Sequence, residues 1–312
     1  MLVNNEISLG IETSKGNYIY VSHAHGDHAR KGSNKLGVIM SPITAELIDT
    51  NAPMADLKGI KLIDSGHILG SSQLVAETDG GKLVYTGDIR MPDSLLFPGA
   101  KVEQCDTLII ESTYGNPSIK FPDCWEVYRE MQEWVKNNCE AAGRNIIFGA
   151  YPLGKSQEII RLMNEIGIIP VVDRKTDRFC QIYEKHGVAL DWAKVGTDKA
   201  EETMKGPFVA IGPPSMANRE LAHKMHIKFR RPALSALATG LGNYYRFNVD
   251  KVFPLSDHAD FGQLISYIEQ ANPKLIYTHH GSSDGLAYEL RKRGYNAYNY
   301  SSLVSSQRLF SV

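Results

Sequence analysis

The segment His23-Ala24-His25-Gly26-Asp27-His28 places four side chains able to ligate a metal within six residues. Three are imidazoles and one is a carboxylate, donor types that suit zinc. The segment follows an alternating run, Asn17-Tyr18-Ile19-Tyr20-Val21-Ser22, which reads as a strand. A loop at a strand end can aim alternate residues at one point, so His23 and His25 face one ion while Asp27 and His28 turn toward a second. Gly26 lets the backbone bend there without a Cβ clash. Three further positions sit at predicted strand ends: His67 in Ser65-Gly66-His67-Ile68, Asp88 in Tyr85-Thr86-Gly87-Asp88, and His280 in Tyr277-Thr278-His279-His280-Gly281. Alone, each would more commonly be structural, since a core histidine is usually just hydrogen-bonded and Gly-Asp is usually a turn. Together they complete a binuclear site, which needs about three to four protein ligands per ion and a bridging carboxylate. His23, His25 and His67 with bridging Asp88 make one set, and Asp27, His28, Asp88 and His280 make the other.

Two ions roughly 3.5–4 Å apart lower the pKa of a shared water and offset charge growing on a phosphoryl or carbonyl oxygen. Protonation of the leaving group remains to be supplied. His258, in Leu255-Ser256-Asp257-His258-Ala259-Asp260, lies outside the ligand count and suits a general acid, its unperturbed pKa being about 6.5. Glu111, in Glu111-Ser112-Thr113-Tyr114-Gly115, is placed to orient that imidazole and favour its protonated form. The catalytic set is therefore Asp27, His258 and Glu111.

The elements that must carry these residues are legible in outline. With 312 residues, 43% hydrophobic and 22% charged, the chain can bury a large core and hold two domains, or one with an insertion. Residues 1–110 read as short strands (Leu36–Met40, Lys61–Asp64, Gln73–Thr78, Lys82–Thr86) with one helix near Pro42–Thr50 and a hairpin at Asp79-Gly80-Gly81. Thr107–Glu111 is a short apolar strand. The pattern then changes. A helix capped by Asp123 runs to about Ala142, followed by strand Asn145–Ala150, helix Ser156–Ile166 and strand Pro170–Val172, a β-α-β unit with a parallel sheet of its own. The last sixty residues predict strands at Phe253–Leu255 and Lys274–Thr278, helices over Phe261–Ala271 and Asp284–Arg293, and a short end strand. Metal-type residues fall before about 115 and after about 255, which implies a catalytic domain interrupted by an insertion.

Composition narrows the setting. No apolar run of about 18 residues exists to span a membrane, and the start lacks the basic-then-apolar order of a signal peptide. Cys105, Cys124, Cys139 and Cys180 form no CxxC pair and read as thiols of a reducing cytoplasm. The net charge of −1 argues neither for nor against a polyanionic partner. Its distribution does bear on one: residues 219–251 hold Arg219, Lys224, Lys228, Arg230, Arg231, Arg246 and Lys251 against Glu220 and Asp250. Lys155 lies just before a predicted helix that starts at Ser156 and whose N-terminus could take an anion, Lys228, Arg230 and Arg231 could track a phosphate backbone, and Tyr244 or Tyr245 could stack a base.

The His-x-His-x-Asp-His run with His67, Asp88 and His280 resembles the metallo-β-lactamase superfamily. Glu-Ser-Thr-Tyr-Gly, Ser-Asp-His-Ala-Asp and Thr-His-His-Gly resemble motifs A, B and C of its β-CASP nucleases, which include the endonuclease of messenger-RNA 3′-end formation, RNase J enzymes and Artemis-type DNA nucleases. The nearest likeness is to short prokaryotic exonucleases associated with DNA ligase and helicase, through Ala29-Arg30, Leu153-Gly154-Lys155-Ser156-Gln157 and Phe253-Pro254-Leu255-Ser256-Asp257-His258-Ala259-Asp260. The resemblance implies an α/β fold, an αββα metallo-β-lactamase sandwich with an inserted α/β β-CASP cap. Residues 1–117 and 253–312 would form the first domain and 118–252 the cap, with nucleic acid threading the cleft between them. It also implies two zinc ions, with manganese or iron as alternatives, and Glu111, His258 and His280 as the residues of motifs A, B and C. Three departures stand out. Glu12 is the only acid near the place of a usual Asp before the metal motif. Gly154-Lys155 replaces Gly-Arg, losing the bidentate fork for phosphate. Motif C has adjacent imidazoles; His280 is chosen because it precedes Gly281, with His279 the alternative ligand. The expected function is exonuclease cleavage of single-stranded DNA in repair, and the resemblance implies association with DNA ligase or helicase. RNA processing is the alternative, because His in motif C is more typical of RNA-cleaving members. A small-molecule hydrolase such as a thioesterase, lactonase or glyoxalase II would need neither a cap nor His258 paired with Glu111, and a non-catalytic scaffold would not need every ligand.

Overall fold

The computed structural model describes residues 9–12, 16–29, 37–240 and 248–301. The chain divides into one unit of Met1–Asp93, Phe97–Lys120 and His258–Val312, and another of Ser94–Leu96 and Phe121–Asp257.

In the first unit the chain runs through β1 (Leu9–Ile11), β2 (Tyr18–Tyr20), β3 (Val38–Ile39), α1 (Pro42–Ile48), β4 (Ile60–Asp64), β5 (Ser72–Thr78), β6 (Gly81–Tyr85) and β7 (Thr107–Glu111). Strands β1, β2 and β3 make a parallel three-stranded sheet. The strands of the second sheet are apolar on both faces, and their pleat sends alternate residues to different cores. Leu74, Ala76, Leu83, Tyr85 and Ile109 pack with Leu9, Ile11, Tyr20 and Ile39 of the first sheet. Their neighbours Val75, Val84, Leu108 and Ile110 face away, toward Leu264, Ile268, Leu286 and Leu290. Beyond the first sheet, Ile19, Val21, Val38 and Met40 meet Ala45 and Ile48 of α1. The order is helix, sheet, sheet, helix: the expected αββα sandwich. The hairpin expected at Asp79-Gly80-Gly81 joins antiparallel β5 and β6, with Thr78 opposite Gly81.

The second unit contains α2 (Cys124–Val135), β8 (Asn145–Gly149), α3 (Lys155–Asn164), β9 (Val171–Val172), α4 (Arg174–Lys185), β10 (Ala193–Lys194), α5 (Asp198–Lys205), β11 (Val209–Gly212), α6 (Arg219–Phe229), β12 (Ala233–Ala238) and β13 (Lys251–Phe253). The six strands are parallel, in the order β10-β9-β11-β8-β12-β13. Asp123 caps α2, accepting from the Trp125 and Glu126 N–H groups (2.8 and 3.2 Å). The helix expected to reach about Ala142 continues to Ala141, its last part, Lys136–Ala141, being π-helical.

The chain returns to the first unit through α7 (Phe261–Ala271), β14 (Leu275–His279), α8 (Ser283–Lys292) and β15 (Ala297–Asn299), completing a sheet ordered β15-β14-β7-β6-β5-β4. The strand expected at Phe253–Leu255 is β13, which pairs with β12, so the return comes at His258 rather than at residue 253. An apolar strand reads alike in either sheet; only the partner decides. None of the described helices is long and apolar enough to cross a membrane, and the four cysteines are buried thiols.

Candidate metal centre

Strand direction gathers the site. Strands β6, β7 and β14 are parallel, and β4 runs the same way because β5 is antiparallel to both its neighbours. Their carboxyl ends therefore share one edge. His67 follows β4, Asp88 follows β6, Glu111 ends β7 and His280 follows β14. Gly87 permits the close approach of the Asp88 turn to the His23 loop: it has φ +55°, and a Cβ there would lie 2.5 Å from Ser22 Cβ.

His23, His25, His67 and Asp88 bring one ligand atom each within 4.8 Å of one another. Asp88 Oδ2 is the hub, 3.4 Å from His23 Nε2, 3.4 Å from His28 Nε2, 3.8 Å from His67 Nε2 and 3.9 Å from His258 Nδ1. His67 Nε2 lies 3.1 Å from His25 Nδ1. Among the described residues, His23 Nε2 and Asp88 Oδ1 are buried without a hydrogen-bond partner. Burial and the neighbouring imidazoles hold His23 well below its usual pKa, hence neutral. Burial, with Glu111 and Glu12 nearby, outweighs His258 and His28 and pushes the Asp88 carboxyl up to about 6. Converging imidazoles, His23 among them held neutral, and an under-satisfied carboxylate are what a cation would reconcile, so the residues fit a metal.

The second expected set is arranged differently. His28 Nε2 faces Asp88, and its Nδ1 lies 2.8 Å from Glu12 Oε2. That same oxygen is 3.0 Å from His280 Nε2. The His28 and His280 rings are 4.5 Å apart. Asp27 does not join them closely: its side chain is 74% exposed and 3.6 Å from His28 Nε2. His279, the alternative ligand, packs its ring on Tyr300 at 4.8 Å, while His280 approaches Glu12 and His28. Glu12 is the residue whose part the sequence left undefined. It is buried, has φ +52°, and also accepts from Ser22 Oγ at 2.5 Å. Burial alone would raise its pKa; hydrogen bonds from His28 and His280 outweigh that and keep it well below the usual carboxylate range. Burial lowers the His28 pKa, but Glu12 and Asp88 overcome this and raise it to about 9.

His258 Nδ1 sits 3.2 and 3.3 Å from the two Glu111 oxygens. Glu111 is fully buried and also accepts from the Ile89 N–H at 2.8 Å. Burial raises its pKa, but His258 and these donors lower it overall, so it is a carboxylate. His258 is locked in place by its neighbours: the Ala259 N–H donates to Ile89 O (2.7 Å), and Asp260 and Gln263 form a capping box on α7.

Three of the residues expected to contact nucleic acid are engaged within the protein. Lys155 lies within the first turn of α3, buried, with Nζ donating to Leu255 O (2.9 Å) and paired with Asp257 (3.2 Å). Ser156 donates its hydroxyl to Tyr151 O at 2.8 Å. Arg231 donates to Asn145 Oδ1, Gly206 O and Lys205 O, tying its own unit together. All three are engaged by polar groups the sequence places far away or gives no reason to pair. Lys228 and Arg230 remain exposed. Arg30, Tyr244, Tyr245 and Arg246 lie outside the described residues.

An αββα sandwich with converging imidazoles and carboxylates at its strand ends defines a metallo-hydrolase-type centre. Residues 246–299, which include His258 and His280, match the family described as RMMBL, Zn-dependent metallo-hydrolase RNA specificity domain. The chain is 32% identical over 298 residues to a "Probable DNA ligase" of Opitutus terrae, covering 89% of this chain and 28% of that protein. It is 37% identical over 106 residues to an "RNase J-like protein" of Methanocaldococcus jannaschii, covering 33% of this chain and 25% of that one. A crystal structure of a protein of unknown function from Enterococcus faecalis V583 shares the fold, with a TM-score of 0.60 and 14% identity over 86% of this chain and 76% of the other. These matches support placing the chain with the β-CASP nuclease group of the metallo-β-lactamase superfamily. It spans only about a quarter of the length of these two curated relatives.

Proposed function

We propose that the chain is a metal-dependent phosphodiesterase that cleaves single-stranded nucleic acid, DNA in the first instance. The observation that carries this reading is the buried Glu111–His258 pair beside the His/Asp cluster, an acid for the leaving group next to a place for cations. His23, His25, His67 and Asp88 would hold one zinc ion, and His28, His280, Asp88 and Asp27 a second. Bound there, zinc supplies Lewis acidity toward the phosphoryl oxygens and lowers the pKa of water. Glu111 commits His258 Nδ1, so the proton for the leaving oxygen comes from Nε2. Glu12 holds His28 and His280 in orientation, the usual task of a carboxylate behind a ligating imidazole. The second unit is read as the β-CASP cap, with Lys228 and Arg230 following the phosphates.

DNA is favoured by the similarity to a probable DNA ligase along nearly the whole chain; association with DNA ligase or helicase belongs to the same reading. RNA is the second reading, supported by the matched RNA specificity domain and the RNase J-like relative. End-labelled single strands of each, incubated with and without chelator, test both. Chelator-sensitive DNA shortening with RNA intact supports the first, and the reverse supports the second. Hydrolysis of a thioester or lactone with neither strand cut would overturn both and leave a small-molecule hydrolase.

A further inference from the structure

We infer that Ser112 sets His280 into its ligand-bearing pose, a positioning role that rests on the binuclear reading above. Strands β7 and β14 are parallel, with Glu111 opposite His279, so the acid pair and the last imidazole leave adjacent strands side by side. Ser112 ties the two exits together. Its buried hydroxyl is 2.9 Å from His279 O, in hydrogen-bond contact with His280 O, and 3.1 Å from Ser283 Oγ. Ser283 Oγ donates to His280 O at 2.6 Å. Each hydroxyl has one proton. With Ser283 serving His280 O, the Ser112 proton serves His279 O, and both carbonyls flanking the turn are satisfied. The Ser282 N–H donates to Ser112 O at 2.7 Å, closing the link from the other side.

The segment held this way is the strained one. His280 has φ +60° and Gly281 φ +51°. A left-handed non-glycine residue persists only where its surroundings over-determine it. The turns are in direct contact, since a Cβ on Gly281 would lie 2.6 Å from Ser112 O. Without the hydroxyl, nothing else on Ser112's side chain can satisfy the carbonyls. His280 is then released toward ordinary φ, and its imidazole leaves Glu12 and His28.

Zinc binding by the full chain, measured by equilibrium dialysis at graded free zinc, tests this without relying on activity. Wild type should bind two ions. Ser112→Ala should keep the ion of His23, His25, His67 and Asp88 but lose about tenfold or more in affinity for the second, within the range for a group that orients a ligand. Ser283→Ala should move the same affinity in the same direction. In a His280→Ala background, Ser112→Ala should have no further effect on it, since a merely structural change would act whether or not His280 is present. Wild-type affinity for both ions in both serine variants would overturn the inference. If Ser112→Ala does not fold, Ser283→Ala on the edge of the same turn decides alone. Fewer than two ions in wild type would instead overturn the binuclear reading, and the role of Ser112 with it.

Discussion

At Glu12 a single buried carboxylate is shared by Ser22, His28 and His280. Such a group aligns imidazoles and raises their basicity, and its loss typically costs 10–100-fold in metal affinity. Glu12→Gln keeps the shape and removes the charge; about that loss is expected for the second ion, read by zinc titration, with the first ion retained. Asp88 is different, because its Oδ2 faces His23, His28 and His67 alike. Asp88→Ala should therefore reduce zinc content more than any other single ligand substitution. His258 has a different task. Its partner is Glu111, so His258→Ala should lose about 10²–10⁴ in cleavage rate while retaining its zinc. Zinc leaving with the imidazole would mean that His258 is a ligand.

At the scale of elements, α3 shows how a helix start changes the meaning of a lysine. Lys155 follows Gly154, which has φ +91°, and the chain turns so that Nζ reaches Leu255 O and Asp257 within its own unit. Removing one partner of a buried pair leaves the other uncompensated, at a cost of on the order of 3 kcal/mol. Lys155→Ala should lower the denaturation midpoint by a corresponding amount and leave the salt dependence of nucleic-acid binding unchanged. A normal midpoint with a flattened salt slope would return Lys155 to the phosphate surface. The strand ends act in the opposite sense. Because β4, β6, β7 and β14 all point one way, residues far apart in the chain arrive at one edge without long side chains reaching for each other.

At the scale of the whole molecule, binding to a phosphate backbone should follow counterion release. The exposed pair Lys228 and Arg230 is expected to contribute about 0.7 each to the log–log salt slope on a single strand. The double alanine variant should therefore bind more weakly and flatten that slope, equally for all base sequences. An unchanged slope would place the phosphate contacts elsewhere. Metal removal should also be felt beyond activity. Cations that bind only the folded chain stabilise it by mass action, so chelation should lower the melting temperature.

The amino-acid sequence by itself determined what is local in kind: the imidazole and carboxylate donors, their placement at strand ends, the Asp79-Gly80 hairpin and the Asp123 cap. Ligand chemistry and turn chemistry depend on residue type and short spacing, and both are visible along the chain. The αββα order was legible through the family resemblance, and the alternating strands agree with it. Only the tertiary structure decided which groups share a proton or a charge. It turned Glu12 from a stray acid into the partner of His28 and His280, set the His279 ring against Tyr300, and left the Asp27 side chain exposed. It placed the Phe253 strand in the second unit's sheet and engaged Lys155, Ser156 and Arg231 internally. A buried polar group is defined by the partner that satisfies it, and that partner can lie a hundred residues away, as Leu255 does from Lys155.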